Sequence, residues 1–192
     1  MSYRHLILDI DRSRHVATIT LNKPERLNAI DQQDKTDIVD VLQTVQNDDD
    51  VWAIIWTGAG RGFCSGADLQ GPVPHTTDES LNALLDEDTW VSHQGAALYA
   101  IDKPMIAAVN GVAAGAGFSL ALCCDLRVGT SHSRFVTVFA ERSLPPEGGM
   151  SFLLARIVGL SRAMDLCLTS RRVEADEAFR IGLLDRLVPE VN

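Results

Sequence analysis

The apolar positions of the first third fall into three rhythms. "HLILDI" and "HVATITLN" are β-rich runs separated by the polar "DRSRH", which predicts a hairpin. In the second run Val16, Thr18 and Thr20 alternate with Ala17, Ile19 and Leu21, the period of a half-buried strand. After a loop, "NKPERLNAI", Asp31 stands where an N-cap belongs. Ile38, Val41, Leu42 and Val45 then recur at helical spacing, and the acidic "NDDD" closes the predicted helix. "VWAIIWTG" is continuously apolar, which predicts a central strand buried on both faces. The glycine-rich "GAGRGFCSGADL" follows it directly.

Further on, "GPVPHTTDES" shows no periodicity and predicts a loop, and a long helix is predicted from about Ser80 to Ile101. "DKP" stops that helix, and "MIAAVNG" reads as a second buried strand. "VAAGAGFSLALCCD" reads as a helix whose first turn is all small residues. "DLRVG" and "RFVTVF" are short strands, and the pattern is helical again from Gly148. "LSRAMDLCLTS" and "EADEAFRIGL" are helices, with a last short strand at "DRLVP". No internal repeat is visible in the sequence. Strands alternating with helices make an α/β domain with helices packed outside short sheets. The 192 residues suffice for one sizeable core, or at most two small ones.

Charge narrows the function classes. A net charge of −9 argues against a nucleic-acid partner. An anionic ligand would have to be held by a few local arginines or by backbone amides. Cys64, Cys123, Cys124 and Cys167 have no C-x-x-C spacing, and read as reduced thiols of a cytoplasmic protein. No apolar run suits a signal peptide or a membrane span, so no membrane partner is expected. There is no phosphate-binding G-x-x-x-x-G-K-[ST], and "GAGFSL" lacks the third glycine of a dinucleotide fingerprint. "GFCSG" has the wrong order for a nucleophile elbow, which argues against Ser65 as a nucleophile. His5, His15, His75, His93 and His132 are scattered and form no metal-ligand pair on a helix face, so no metal is expected.

What remains occurs twice. "WTGAGRGFCSGADL" and "AAVNGVAAGAGFSL" each run from a buried strand through Gly, Ala and Ser into a helix. Such small residues serve tight helix-against-sheet packing. They also leave backbone N–H groups open to a ligand oxygen, and two adjacent turns would supply the paired donors of an oxyanion hole. The turn "SLPPEGGMSF" poses a similar choice. Glu147 is either a solvated charge near a helix start or a carboxylate used for chemistry.

"NKPERLNAI", "RGFCSGADL", "KPMIAAVNGVAAGAGFSLALCCDLRV" and "GGMSFLLARIVG", in this order and spacing, resemble the enoyl-CoA hydratase/isomerase (crotonase) family from about Leu6 to Pro189. The resemblance implies a single crotonase (ClpP-like) domain over 1–192, a spiral of repeated ββα units. It implies assembly as a homotrimer or hexamer acting on an acyl-CoA thioester. No cofactor is implied, since coenzyme A is part of the substrate. The two oxyanion amides would fall on Ala67 and Ala116. Substrate contacts would fall on Arg26, Leu27, Ala67, Asp68, Leu69 and Ala116, with Arg61 a weaker phosphate contact. Asp68 has a second reading as a first-turn acid complementing a helix dipole.

Hydratases of the family use two glutamates. Ser119 stands at the first of those positions and Phe139 at the second, while Glu141 is offset by two residues and expected to point elsewhere. "FVTVFAERSLPPEGGMSF" instead resembles the isomerase members, which place a single acid at Glu147. The resemblance also implies further helices after a segment like "GLLDRLVPEVN", where this sequence ends. It implies shifting of a 3-enoyl double bond to the 2-position. Hydration of an enoyl thioester and a catalytically silent acyl-CoA-binding subunit are the alternatives.

Overall fold

The computed structural model describes residues 3–69 and 90–189, with side chains from 95 onward in the second stretch. The hairpin forms as read, with β1 (Leu6–Asp11) antiparallel to β2 (Val16–Leu21). Ala17, Ile19 and Leu21 face the core, and the alternate positions are half-buried. Asp31 caps α1 (Gln32–Gln46). Its carboxylate accepts the N–H of Gln33 and of Asp34, and the Asp34 carboxylate accepts the N–H of Asp31 in return. That reciprocal arrangement satisfies donors a helix start leaves open. Ile38, Val41, Leu42 and Val45 form the buried face of the helix.

From here the strands come in pairs divided between two sheets. β3 (Ala53–Gly58), β5 (Met105–Val109) and β7 (Leu126–Gly129) extend β2 in parallel. With β10 (Arg186–Leu187) they complete a six-stranded sheet of order β1-β2-β3-β5-β7-β10. β4 (Gly62–Cys64), β6 (Val112–Ala114) and β8 (Arg134–Val136) lie parallel in a second sheet, which β9 (Val173–Glu174) closes antiparallel to β8. Helices α2 (Trp90–Tyr99), α3 (Ala116–Cys123) and α4 (Met150–Val158) follow β4, β6 and β8 in the chain. The repeated unit is therefore strand, strand, helix, as expected, although its copies share no visible sequence repeat. α5 (Leu160–Thr169) and α6 (Ala175–Arg180) complete the order. Trp56, Phe63, Phe118 and Phe135 are fully buried in the core, the last two with ring centroids 5.1 Å apart.

Three expectations change. "VWAIIWTG" is not buried on both faces: Trp52 is 63% exposed, and only Ile54, Trp56 and Gly58 of β3 are buried. "VAAGAGFSLALCCD" does not start as helix, because Val112–Ala114 is strand β6. Pairing with β4 on one side and β8 on the other outweighs alanine's helix preference there. The "GFC" of the glycine-rich turn likewise becomes β4. The predicted helix from Ser80 to Ile101 is helical from Trp90 to Tyr99, and its earlier part and the "GPVPHTTDES" loop lie outside the described residues.

All four cysteines are free. Burial pushes the Cys64 thiol up to about 12 and the Cys123 thiol up to about 11. Among the described residues no helix is long and apolar enough to cross a membrane.

Candidate active site

Because β4, β6 and β8 run side by side and parallel, the loops leaving their C-terminal ends open on one edge of the second sheet. Ser65, Gly66 and Ala67 follow β4, Gly115 and Ala116 follow β6, and Val138 and Phe139 come just after β8. All seven line one cavity of about 380 Å³, together with Glu147.

The two small-residue turns touch, as the oxyanion reading requires. Ile30 makes a parallel bridge to Ala67, donating its N–H to Gly66 O at 2.8 Å and accepting that of Asp68 at 2.8 Å. This ladder uses the groups flanking Ala67, so the N–H of Ala67 itself faces the opposite side. Gly66 has φ +99°, and a Cβ there would lie 2.8 Å from Ala114 O and 3.5 Å from Ala116 N. No other residue fits between the turns. Ala116 is the first residue of α3, and its N–H belongs to the donors a helix start leaves open. Gly115 before it supplies no capping side chain. Among the described residues neither the Ala67 nor the Ala116 N–H meets an acceptor.

Glu147 enters the same cavity after Pro145 and Pro146. Its side chain is half-buried, and burial raises the carboxyl above its ordinary value of 4.5, against the pull of the Lys35 ammonium. Phe139, Val138 and Leu144 are apolar lining. Val138 is β-branched yet held at φ +56°, a strained conformation of the kind that collects at functional sites. Ser119 and Phe139 also line the cavity, as the resemblance implies. Glu141 lines it too, contrary to the expectation from its offset. It sits in the three-residue 3₁₀ turn Ala140–Arg142, directly after Phe139.

The expected substrate contacts divide. Ala67, Leu69 and Ala116 line the cavity, whereas Arg26, Leu27, Asp68 and Arg61 do not. The helix start that Asp68 was read as complementing lies outside the described residues. Its carboxylate binds Arg26 at 2.7 Å and Lys23 at 3.3 Å. Leu27 has φ +50°, and its carbonyl accepts the Ser65 N–H at 2.9 Å, while Ser65 Oγ donates to Arg26 O at 3.1 Å. Arg26 and Leu27 therefore frame the Ala67 turn from behind. Next to them His5, scattered in the sequence, meets Asp31 and Asp34 with ligand-type atoms within 4.8 Å of one another. An ammonium already supplies positive charge there, since Lys23 Nζ lies 2.9 Å from Asp31 and 3.7 Å from Asp34. Burial raises the Asp31 carboxyl, but Lys23 and two backbone N–H groups outweigh it and hold it at about 2.

Sequence reasoning missed Asn28. It is buried at φ +58°, and its Nδ2 donates to the carbonyls of Ala59, Gly62 and Phe63 while Oδ1 accepts the Lys23 N–H. A short amide that tolerates a left-handed backbone is suited to that knot, and the "LN" before "AI" was its only signal. Asn28→Ala strands several buried polar groups and is expected to cost about 3 kcal/mol of stability, measurable by urea unfolding.

The sequence profile of the family described as Enoyl-CoA hydratase/isomerase matches residues 11–192, and the chain belongs to that family. It is 36% identical over 175 residues to the 1,2-epoxyphenylacetyl-CoA isomerase of Escherichia coli (strain K12), covering 91% of this chain and 67% of that protein. It is 40% identical over 185 residues to "Probable enoyl-CoA hydratase echA12" of Mycobacterium bovis (strain ATCC BAA-935 / AF2122/97), covering 91% of this chain and 63% of that one. Among solved structures, an enoyl-CoA hydratase/isomerase from Pseudoalteromonas atlantica T6c matches with a TM-score of 0.84 at 31% identity, covering 97% of this chain and 70% of the other. The fold is the crotonase fold. The chain spans about two thirds of the length of the curated relatives it matches.

Proposed function

We propose that the chain acts on an acyl-CoA thioester and moves a double bond from the 3- to the 2-position, with Glu147 as the one acid–base group. The observation that carries this reading is the cavity itself. It brings Glu147 together with two acceptor-free amides, while serine and phenylalanine occupy positions 119 and 139. The Glu147 carboxylate takes an α proton from the 3-enoyl thioester. The released C–H pair forms a double bond to the carbonyl carbon, and the carbonyl pair moves onto the thioester oxygen, giving a dienolate conjugated with the 3,4 double bond. The N–H groups of Ala67 and Ala116 hold that oxygen as the charge develops. Glu147 then returns the proton at the γ carbon, giving the conjugated 2-enoyl product without water. A desolvated carboxyl is a stronger base than an exposed one and suits both steps.

Glu141 in the cavity supports a second reading, hydration by Glu141 and Glu147 as an unconventional pair, and several relatives are named as hydratases. Paired 2-enoyl and 3-enoyl thioesters of matched chain length separate the two. Interconversion of the double-bond isomers supports the first reading, and conversion of the 2-enoyl form to a 3-hydroxyacyl thioester supports the second. Binding without turnover would indicate a silent acyl-CoA-binding subunit.

A homotrimer or hexamer in the cytoplasm fits the exposed apolar surface of the C-terminal third. Leu160, Met164 and Leu168 repeat along one face of α5, the two leucines each 68% exposed, and Phe152 of α4 and Phe179 of α6 are exposed as well. Such a surface marks an interaction site. Light scattering is expected to report a trimer or hexamer, and Met164→Glu is expected to shift it toward monomer.

A further inference from the structure

We propose that Ser119 is a positioning residue that fixes the Glu147 carboxylate relative to the oxyanion donors, an inference that rests on the acid–base reading of Glu147. By resemblance Ser119 marks only a missing glutamate. In the structure its side chain is buried, and its Oγ donates to the backbone carbonyl of Glu147 at 2.8 Å. A serine within a helix ordinarily bonds a carbonyl of its own preceding turn. This one reaches across 28 residues to another loop.

The tether works with two further constraints. The Glu147 carbonyl also accepts the Met150 N–H at 3.2 Å, so its peptide is held from both sides. Gly148 follows at φ +60°, and a Cβ there would lie 2.9 Å from Ser119 Cβ. The Glu147–Gly148 segment is thus seated directly on Ser119, and nothing larger than glycine fits between them. Ser119 lies three residues after Ala116 on the same helix, α3. One short helix therefore presents an oxyanion donor at its start and, one turn later, the anchor for the acid. The separation between proton-transfer group and developing anion is set by that helix and not by the loop carrying Glu147. Among the described residues the other charged groups around Glu147 are Lys35 of α1 and, in the same cavity, Glu141 and Arg142. None of them holds its backbone.

The test compares the full chain with Ser119→Ala and Ser119→Cys on a 3-enoyl-CoA. For Ser119→Ala, kcat is expected to fall about 10- to 100-fold with KM within about twofold, as for a misplaced catalytic group. Ser119→Cys, similar in shape with a weaker donor, is expected to fall between the two. A wild-type kcat in Ser119→Ala overturns the proposal and leaves the isomerase reading standing. Absence of wild-type turnover sinks the isomerase reading. A carbon-13 NMR titration of the Glu147 carboxyl, assigned with Glu147→Gln, then decides the positioning role. Freed from its seat, the carboxyl is expected to titrate closer to 4.5 in the Ser119 variants. An unmoved midpoint overturns the proposal.

Discussion

Glu147→Gln is expected to keep the fold and lose the isomerisation. Glutamine preserves the shape of the side chain but can neither take nor return a proton. Removing the proposed acid–base group should lower kcat on a 3-enoyl-CoA by about 10²- to 10⁴-fold. Stability should change by no more than about 0.5 kcal/mol, because the residue is half-exposed and its carboxylate has no hydrogen-bonded partner among the described residues. The sign of the pH effect follows from burial. The folded protein holds the Glu147 proton more tightly than the unfolded chain, so this group's contribution to stability falls as pH rises through the window above 4.5. In the glutamine variant that dependence disappears. The same shift should place the acid limb of kcat/KM above 4.5 in the wild type, because the base form is required. Near-normal turnover by Glu147→Gln would reduce Glu147 to a turn residue.

Ala116→Pro should have the next largest effect, and position 116 makes it an unusually clean test. Proline is favoured at the first residue of a helix, where its missing N–H costs the helix nothing. Ala116 occupies that place in α3, and Gly115 before it adapts to a following proline better than other residues. The substitution thus removes one of the two proposed oxyanion donors while α3 persists. Loss of such a donor raises the barrier by about 3 kcal/mol, on the order of 10²-fold in kcat. Circular dichroism should show the helix retained. A folded variant with unchanged kcat would show that the Ala116 N–H does not face the reacting oxygen.

Much of this was legible where a local rule agrees with the tertiary result. The β2 alternation, the Asp31 cap and the buried face of α1 follow from spacing alone. What spacing could not show was pairing. Val112–Ala114 and Gly62–Cys64 are too short and too rich in small residues to signal strands, and they become strands only because β4, β6 and β8 lie together. The same adjacency turns two separate glycine-alanine turns into one cavity. Glu141 was expected to point elsewhere because it is offset by two residues from Phe139, yet within the 3₁₀ turn Ala140–Arg142 it lines the same cavity. Ser119 was legible only as an absence, since its partner is a backbone carbonyl that no side-chain pattern marks. The ties of Asp68 to Lys23 and Arg26 needed the folded loop.

The most direct test of a double-bond shift by one carboxyl is a short incubation of a 3-enoyl-CoA carrying deuterium at its α carbon, followed by mass and positional analysis of the product. The expected result is a conjugated 2-enoyl thioester that has gained no water, with part of the deuterium now on its γ carbon. A product that has gained water, or a 3-enoyl thioester left unchanged by a chain that binds it, would contradict the proposed chemistry.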